Sequence, residues 1–145
     1  MNHEIYADHA ATAPIEPLAL EAMYTAYQEY ANPAALYRSA LHTKQTVEKA
    51  RLTVAENLGC TPDHIFFTSG GSEADNQAII SAARNGARKG KKHLISTKFE
   101  HHAVLHTLKK LEKEGFEVTL LDVGPTGTIT PQQVAEAIRE DTCLV

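Results

Sequence analysis

The sequence predicts an α/β fold on a largely parallel sheet, preceded by helices. Three observations carry this. From about residue 61, short runs of β-branched and aromatic residues alternate with longer stretches of helical apolar spacing, the pattern of successive β/α units. The stretch Thr68-Ser69-Gly70-Gly71-Ser72 passes from the first such run through two glycines into a helix start. The closing Cys143-Leu144-Val145 reads as the opening of another strand. A native domain seldom stops on a buried strand whose backbone groups need partners, so a truncated chain is expected.

The elements follow in order. Tyr6 to Pro17 is an irregular arm broken by two prolines, and Pro17 suits the first position of a helix. Leu18 to Tyr30 is rich in Ala, Leu, Met and Tyr and reads as that helix, stopped by Asn32-Pro33. A longer helix is expected from Leu36 to Leu58. Leu36, Ala40, Val47, Ala50, Val54 and Leu58 would form one buried stripe, and Gly59 the C-terminal cap. His64-Ile65-Phe66-Phe67-Thr68 reads as the first strand. Ser72-Glu73-Ala74-Asp75 then matches a capping box opening a helix that runs into Arg84, Arg88, Lys89, Lys91 and Lys92. These cations suit a helix C-terminus and a solvated turn. A strand (His93 to Thr97), a helix (His101 to Glu114) and a strand (Phe116 to Val123) come next. A final helix is capped by Thr130, with Pro131 at its first position.

Composition narrows the function. Fourteen basic against 18 acidic residues give a net charge of −4, which argues against a nucleic-acid binder. No apolar run approaches the roughly 18 residues needed to span a bilayer, and the N-terminus lacks a signal-peptide pattern, so no membrane association and a cytoplasmic location are expected. Cys60 and Cys143 are too far apart in sequence to suggest a disulfide framework or a zinc knuckle, and neither has a neighbouring base or helix N-terminus to activate it. Both read as structural.

Two stretches carry chemistry. At Thr68 to Asn76, a strand, two glycines and a hydroxyl-bearing helix start make an anion site, because unpaired amides point outward along the positive end of the helix dipole. Neither the Walker lysine nor the third glycine of a dinucleotide fingerprint is present. A plain capped helix after a tight turn would give the same pattern. Thr97-Lys98-Phe99-Glu100-His101-His102-Ala103-Val104 lies after the next strand, at the carboxyl end where open α/β sheets hold ligands. An imidazole there could stack on a planar ring or move a proton. His102 and His106 are four apart on a helix, but no third ligand is evident, so no metal is expected.

Together these stretches resemble the cysteine desulfurases, in the class V aminotransferase group of fold-type I pyridoxal-phosphate (PLP) enzymes. The resemblance runs through Asp8-His9-Ala10-Ala11-Thr12-Ala13-Pro14, Asn32-Pro33-Ala34-Ala35, Thr68 to Asn76, Glu100-His101-His102-Ala103-Val104 and Glu114-Gly115-Phe116-Glu117-Val118, in order and register over essentially the whole chain. Ala13 departs from the family's second threonine, Ala34-Ala35 from its paired serines, and Tyr37 from a usual histidine.

The resemblance implies that residues 1–60 are an N-terminal arm and helices, and that 61–145 are the first β/α units of the PLP-binding large domain, with an incomplete sheet. Gly71 and Ser72 would hold the PLP phosphate, His101 would stack on the ring and could move a proton, and Ala11 and Thr12 would lie near the substrate. The parent enzyme would take sulfur from L-cysteine, leaving L-alanine and an enzyme persulfide for a sulfur-acceptor protein. The cofactor-bearing lysine, its partner aspartate, the substrate-carboxylate arginine and the nucleophilic cysteine all fall beyond this chain in the family. The chain alone is therefore expected to be inactive. It would also leave the strand at Ile65-Phe66-Phe67 without its neighbours, so a homodimer or a rearranged oligomer is expected. Two rival readings are a non-catalytic anion-binding or interaction module and another class V aminotransferase such as selenocysteine lyase.

Overall fold

The computed structural model describes residues 5–145, which divide into two compact units, one ending at Phe66 and the other running from Phe67 to Val145. In the first unit, α1 spans Pro17–Gln28 and α2 spans Arg38–Leu58. Pro17 occupies the first turn of α1, and the Glu16 carboxylate caps it by accepting from the Leu18 amide at 2.8 Å. Gly59 ends α2 at φ 68°, a left-handed position where a Cβ would add strain.

Two expectations for this unit need correction. The α2 stripe is not a core: only Ala40 and Ala55 are buried on that helix, while Leu36 and Leu58 are exposed. His64 to Thr68 is not a strand. Pro62–His64 forms a short 3₁₀ turn and no ladder follows it; Phe66 is 71% exposed. The physical reason is common to both. An apolar pattern marks a face suited to burial, but burial and strand pairing require a neighbour, and no described strand lies beside Ile65 to Thr68.

The second unit carries the sheet. Helix α3 (Gly71–Ala87) leads to β1 (His93–Thr97), α4 (His102–Lys113), β2 (Glu117–Leu121), α5 (Pro131–Ala137) and β3 (Thr142–Leu144). The sheet is open, parallel and three-stranded, in the order β2-β1-β3. Leu94 pairs with Val118 on one side and Leu144 on the other, with a register irregularity against β3. Parallel neighbours require crossover connections, and α4 supplies the one between β1 and β2.

The core gathers Leu94 of β1, Leu108 and Leu111 of α4, Ala83 of α3 and Phe116, with Ile79, Val104 and Val118 packed against it. α3 lies so close to β3 that a Cβ built on Gly86 would fall 2.3 Å from Cys143 Cβ, so only glycine fits there. Thr130 caps the start of α5 as its sequence foretold, and the structure adds a reciprocal capping box with Gln133. Beneath the sheet centre, the fully buried His93 ring joins all three strands: Nδ1 meets Thr142 Oγ1 at 2.8 Å and Nε2 meets Thr119 Oγ1 at 2.9 Å.

Candidate functional site

The first turn of α3 is exposed at Gly71, Ser72 and Glu73. Gly70 is the N-cap and no side chain caps the helix. The expected capping box from Ser72 does not form. Instead Glu73 reaches back to Ser69, whose amide and hydroxyl donate to Oε2 at 2.7 and 2.6 Å. Those two bonds, the hydroxyl's first, hold the Glu73 carboxyl below the usual carboxylate range. The difference arises because a backward hydrogen bond to Ser69 secures the loop before the helix and leaves the amides of the first turn facing outward. A Cβ added at Gly70 or Gly71 would meet nothing within 4 Å. The loop is therefore accessible at its backbone, as an anion cradle needs.

His101 lies at the start of α4 and is its N-cap; its Nδ1 accepts from the Ala103 amide at 3.1 Å. In the neutral ring that bond leaves the proton on Nε2. Ser72 and His101 line one open groove of about 470 Å³, together with Asn76, His106, Thr107 and Lys110. The two helix starts meet there because α3 and α4 pack on each other and both begin on the same side of the unit. His102 and His106 also border the groove, with ring centroids 5.5 Å apart. Among the described residues, no group of three or more His, Cys, Asp or Glu is arranged to hold a metal ion.

The remaining candidates lie elsewhere. Ala11 and Thr12 belong to the first unit, in a turn where both amides approach the Asp8 carbonyl and the Tyr6 hydroxyl lies 2.9 Å from the Thr12 carbonyl. Lys98 is held by Asp122 at 2.8 Å. Cys143 is half-buried against the His93 carbonyl, and burial pushes its thiol up, the opposite of an activated nucleophile. Thr107, which sequence reasoning passed over, is buried inside the groove and bonded to Asn76 at 2.6 Å. The available signal was a lone hydroxyl among Val104, Leu108 and Leu111 on the inward face of α4.

The aminotransferase class-V family model matches residues 5–145. This chain belongs to the class-V aminotransferases. Its relatives include the cysteine desulfurase IscS of Clostridium botulinum (strain Hall), 45% identical over 146 residues, and that of Azotobacter vinelandii, 46% identical over 151. Each alignment covers all of this chain but only 36% and 37% of the respective relative, so the chain spans about a third of their length. Among solved structures, a NifS-like protein superposes with a TM-score of 0.89 at 34% identity, covering 97% of this chain and 38% of that one. The structure described as SspA in complex with cysteine gives 0.87 at 40% identity, covering 94% and 40%. The α/β architecture with its open parallel sheet is thus the fold-type I arrangement of these class-V relatives. Among the described residues, no helix is long and apolar enough to cross a membrane.

Proposed function

We propose that this class-V chain supplies the cofactor-phosphate and ring-stacking side of a cysteine desulfurase whose full polypeptide takes sulfur from L-cysteine, giving L-alanine and an enzyme persulfide. One observation carries the reading: Ser72, in an uncapped helix start, and His101, at the head of the neighbouring helix, line the same groove. That donor set suits PLP. The outward amides and the Ser72 hydroxyl match a phosphate, and an exposed imidazole matches a flat ring. When bound, PLP supplies the electron sink for bonds broken at the substrate's Cα.

The chain's own residues do the holding. Gly71 and Ser72 bind the phosphate through the amide and the hydroxyl, and Glu73 fixes the preceding loop through Ser69. His101 covers one ring face and carries a proton on Nε2 for transfer. Ala11 and Thr12 approach the substrate, with residues 1–60 as arm and helices and 61–145 as part of the large domain. The 145 residues alone are inactive in this reading because the lysines near the site are already engaged, Lys98 by Asp122 and Lys110, which borders the groove, by Glu114. The sulfur passes to an acceptor protein, and the working unit is a homodimer in the cytoplasm.

The test is PLP binding, followed by absorbance, beside pyridoxal, which lacks the phosphate. Ser72→Ala should weaken PLP about tenfold, as expected for losing a hydrogen bond to a charged group, and leave pyridoxal unchanged. His101→Ala should weaken both. Equal PLP affinity in wild type and Ser72→Ala would overturn the assignment.

A further inference from the structure

Between the His101 ring and the backbone of Ser72 runs a chain of close polar contacts in which one Thr107 proton is shared between two acceptors. The Ala103 amide donates to His101 Nδ1 at 3.1 Å, and the Thr107 hydroxyl lies 2.8 Å from the Ala103 carbonyl. The same hydroxyl lies 2.6 Å from Asn76 Oδ1, and Asn76 Nδ2 donates to the Ser72 carbonyl at 2.7 Å. Asn76 belongs to α3 and Thr107 to α4, so this path is a side-chain link between the two helix starts.

The Asn76 amide nitrogen donates to the Ser72 carbonyl, and its oxygen faces the Thr107 hydroxyl. Thr107 has a single proton for two acceptors and is 98% removed from solvent, so bulk water competes little for it. The bond from threonine to the carbonyl four residues back is ordinary in helices. The second acceptor on another helix is not, and it makes the position of Ser72 depend on that of Ala103, whose amide orients His101.

We propose that Asn76 and Thr107 form a positioning clasp that sets the distance and angle between the phosphate-binding end of α3 and the ring-stacking histidine of α4. Neither residue touches the cofactor in this scheme. They act through Ser72 and Ala103, and their effect is to make the two halves of the groove bind one rigid ligand together rather than two ligands separately. This rests on the cofactor reading above.

The experiment uses the full-length protein resolved of PLP. Thr107→Val keeps the shape of the side chain and removes the hydroxyl; Thr107→Ser restores it; Asn76→Asp replaces the donor to Ser72 with a second acceptor. PLP and pyridoxal affinities are measured by absorbance, and ring orientation by the circular dichroism of the visible cofactor band. Thr107→Val and Asn76→Asp should each cut PLP affinity about tenfold, lower the preference for PLP over pyridoxal and change the dichroic band, while Thr107→Ser returns all three toward wild type. A purely structural role would lower thermal stability and leave preference and dichroism alone, which overturns the clasp. If wild-type protein itself shows no preference for PLP over pyridoxal, the cofactor reading fails and the clasp with it. If that preference is present in wild type and unchanged in Thr107→Val, the clasp alone is wrong.

Discussion

Helices α1 and α4 are both 12 residues long and both carry apolar residues at helical spacing, yet they meet different fates. α1 buries none of its residues, and Leu18, Tyr24 and Tyr27 are all exposed. α4 buries Thr107, Leu108 and Leu111 against β1 and α3. The same contrast separates the two units, since the first buries little beyond Ala40 and Ala55 while the second holds Leu94, Ile95, Leu108, Leu111 and Phe116. Periodicity reports which face of a helix is suited to cover. Stability comes only where the chain itself supplies that cover, because the hydrophobic gain scales with apolar area removed from water.

This contrast can be broken most severely at the centre of the sheet. Leu94→Ala should cost about 4 kcal/mol of the second unit's stability, since the side chain is fully enclosed and the strands around it cannot collapse. Urea denaturation monitored by far-ultraviolet dichroism measures it, and a loss near zero would remove the second unit's claim to a cooperative core. Gly86→Ala comes next, at about 2–3 kcal/mol, because the new methyl would press on Cys143 Cβ. The same denaturation curve reads it, and unchanged stability would mean that α3 can shift off β3.

A smaller effect sharpens the comparison by pH. Burial, and then the nearby Arg139, lower the proton affinity of His93 in the folded state, while Asp141 and Glu117 partly oppose them. The unfolded chain therefore binds more protons below about pH 6.5, so the stability His93 confers is present above that value and is lost as the pH falls. Denaturation midpoints of the second unit should drop between pH 8 and pH 5, and His93→Gln should flatten the trend. The smallest effect belongs to the first unit. Leu18→Gln should change stability of this chain by no more than about 0.5 kcal/mol, since the side chain is already in water. A loss of several times that would show α1 to be buried in solution.

How much of this was legible in the residues follows from the range of the forces involved. Gly59 as the C-terminal cap and Thr130 as the N-cap could be read directly, because each is settled within four residues. The three paired strands and the five α-helices among the described residues could also be placed, and the class-V motifs identified the family. Ile65 to Thr68 was misread as a strand because its composition speaks for pairing and cannot say whether a partner exists. Ser72 was misread as the cap because Ser72 and Asp75 have capping-box spacing, whereas the helix starts at Gly71 with Gly70 as N-cap and Glu73 bonds back to Ser69. The partners of Thr107 and His93 could not be read, because Asn76 lies 31 residues from the one and Thr119 and Thr142 lie 26 and 49 from the other.

The strand order has a consequence for the growing chain. β1 is the middle strand, but its two neighbours emerge from synthesis one after the other, β2 first and β3 roughly two dozen residues later, a delay of a few seconds at ordinary elongation rates. During that interval His93 has Thr119 within reach and lacks Thr142, and one edge of β1 waits with its backbone groups unpaired. Formation of this three-stranded arrangement is thus timed by translation, and the moment when Thr142 docks marks the point at which the nascent second unit can first close around its histidine.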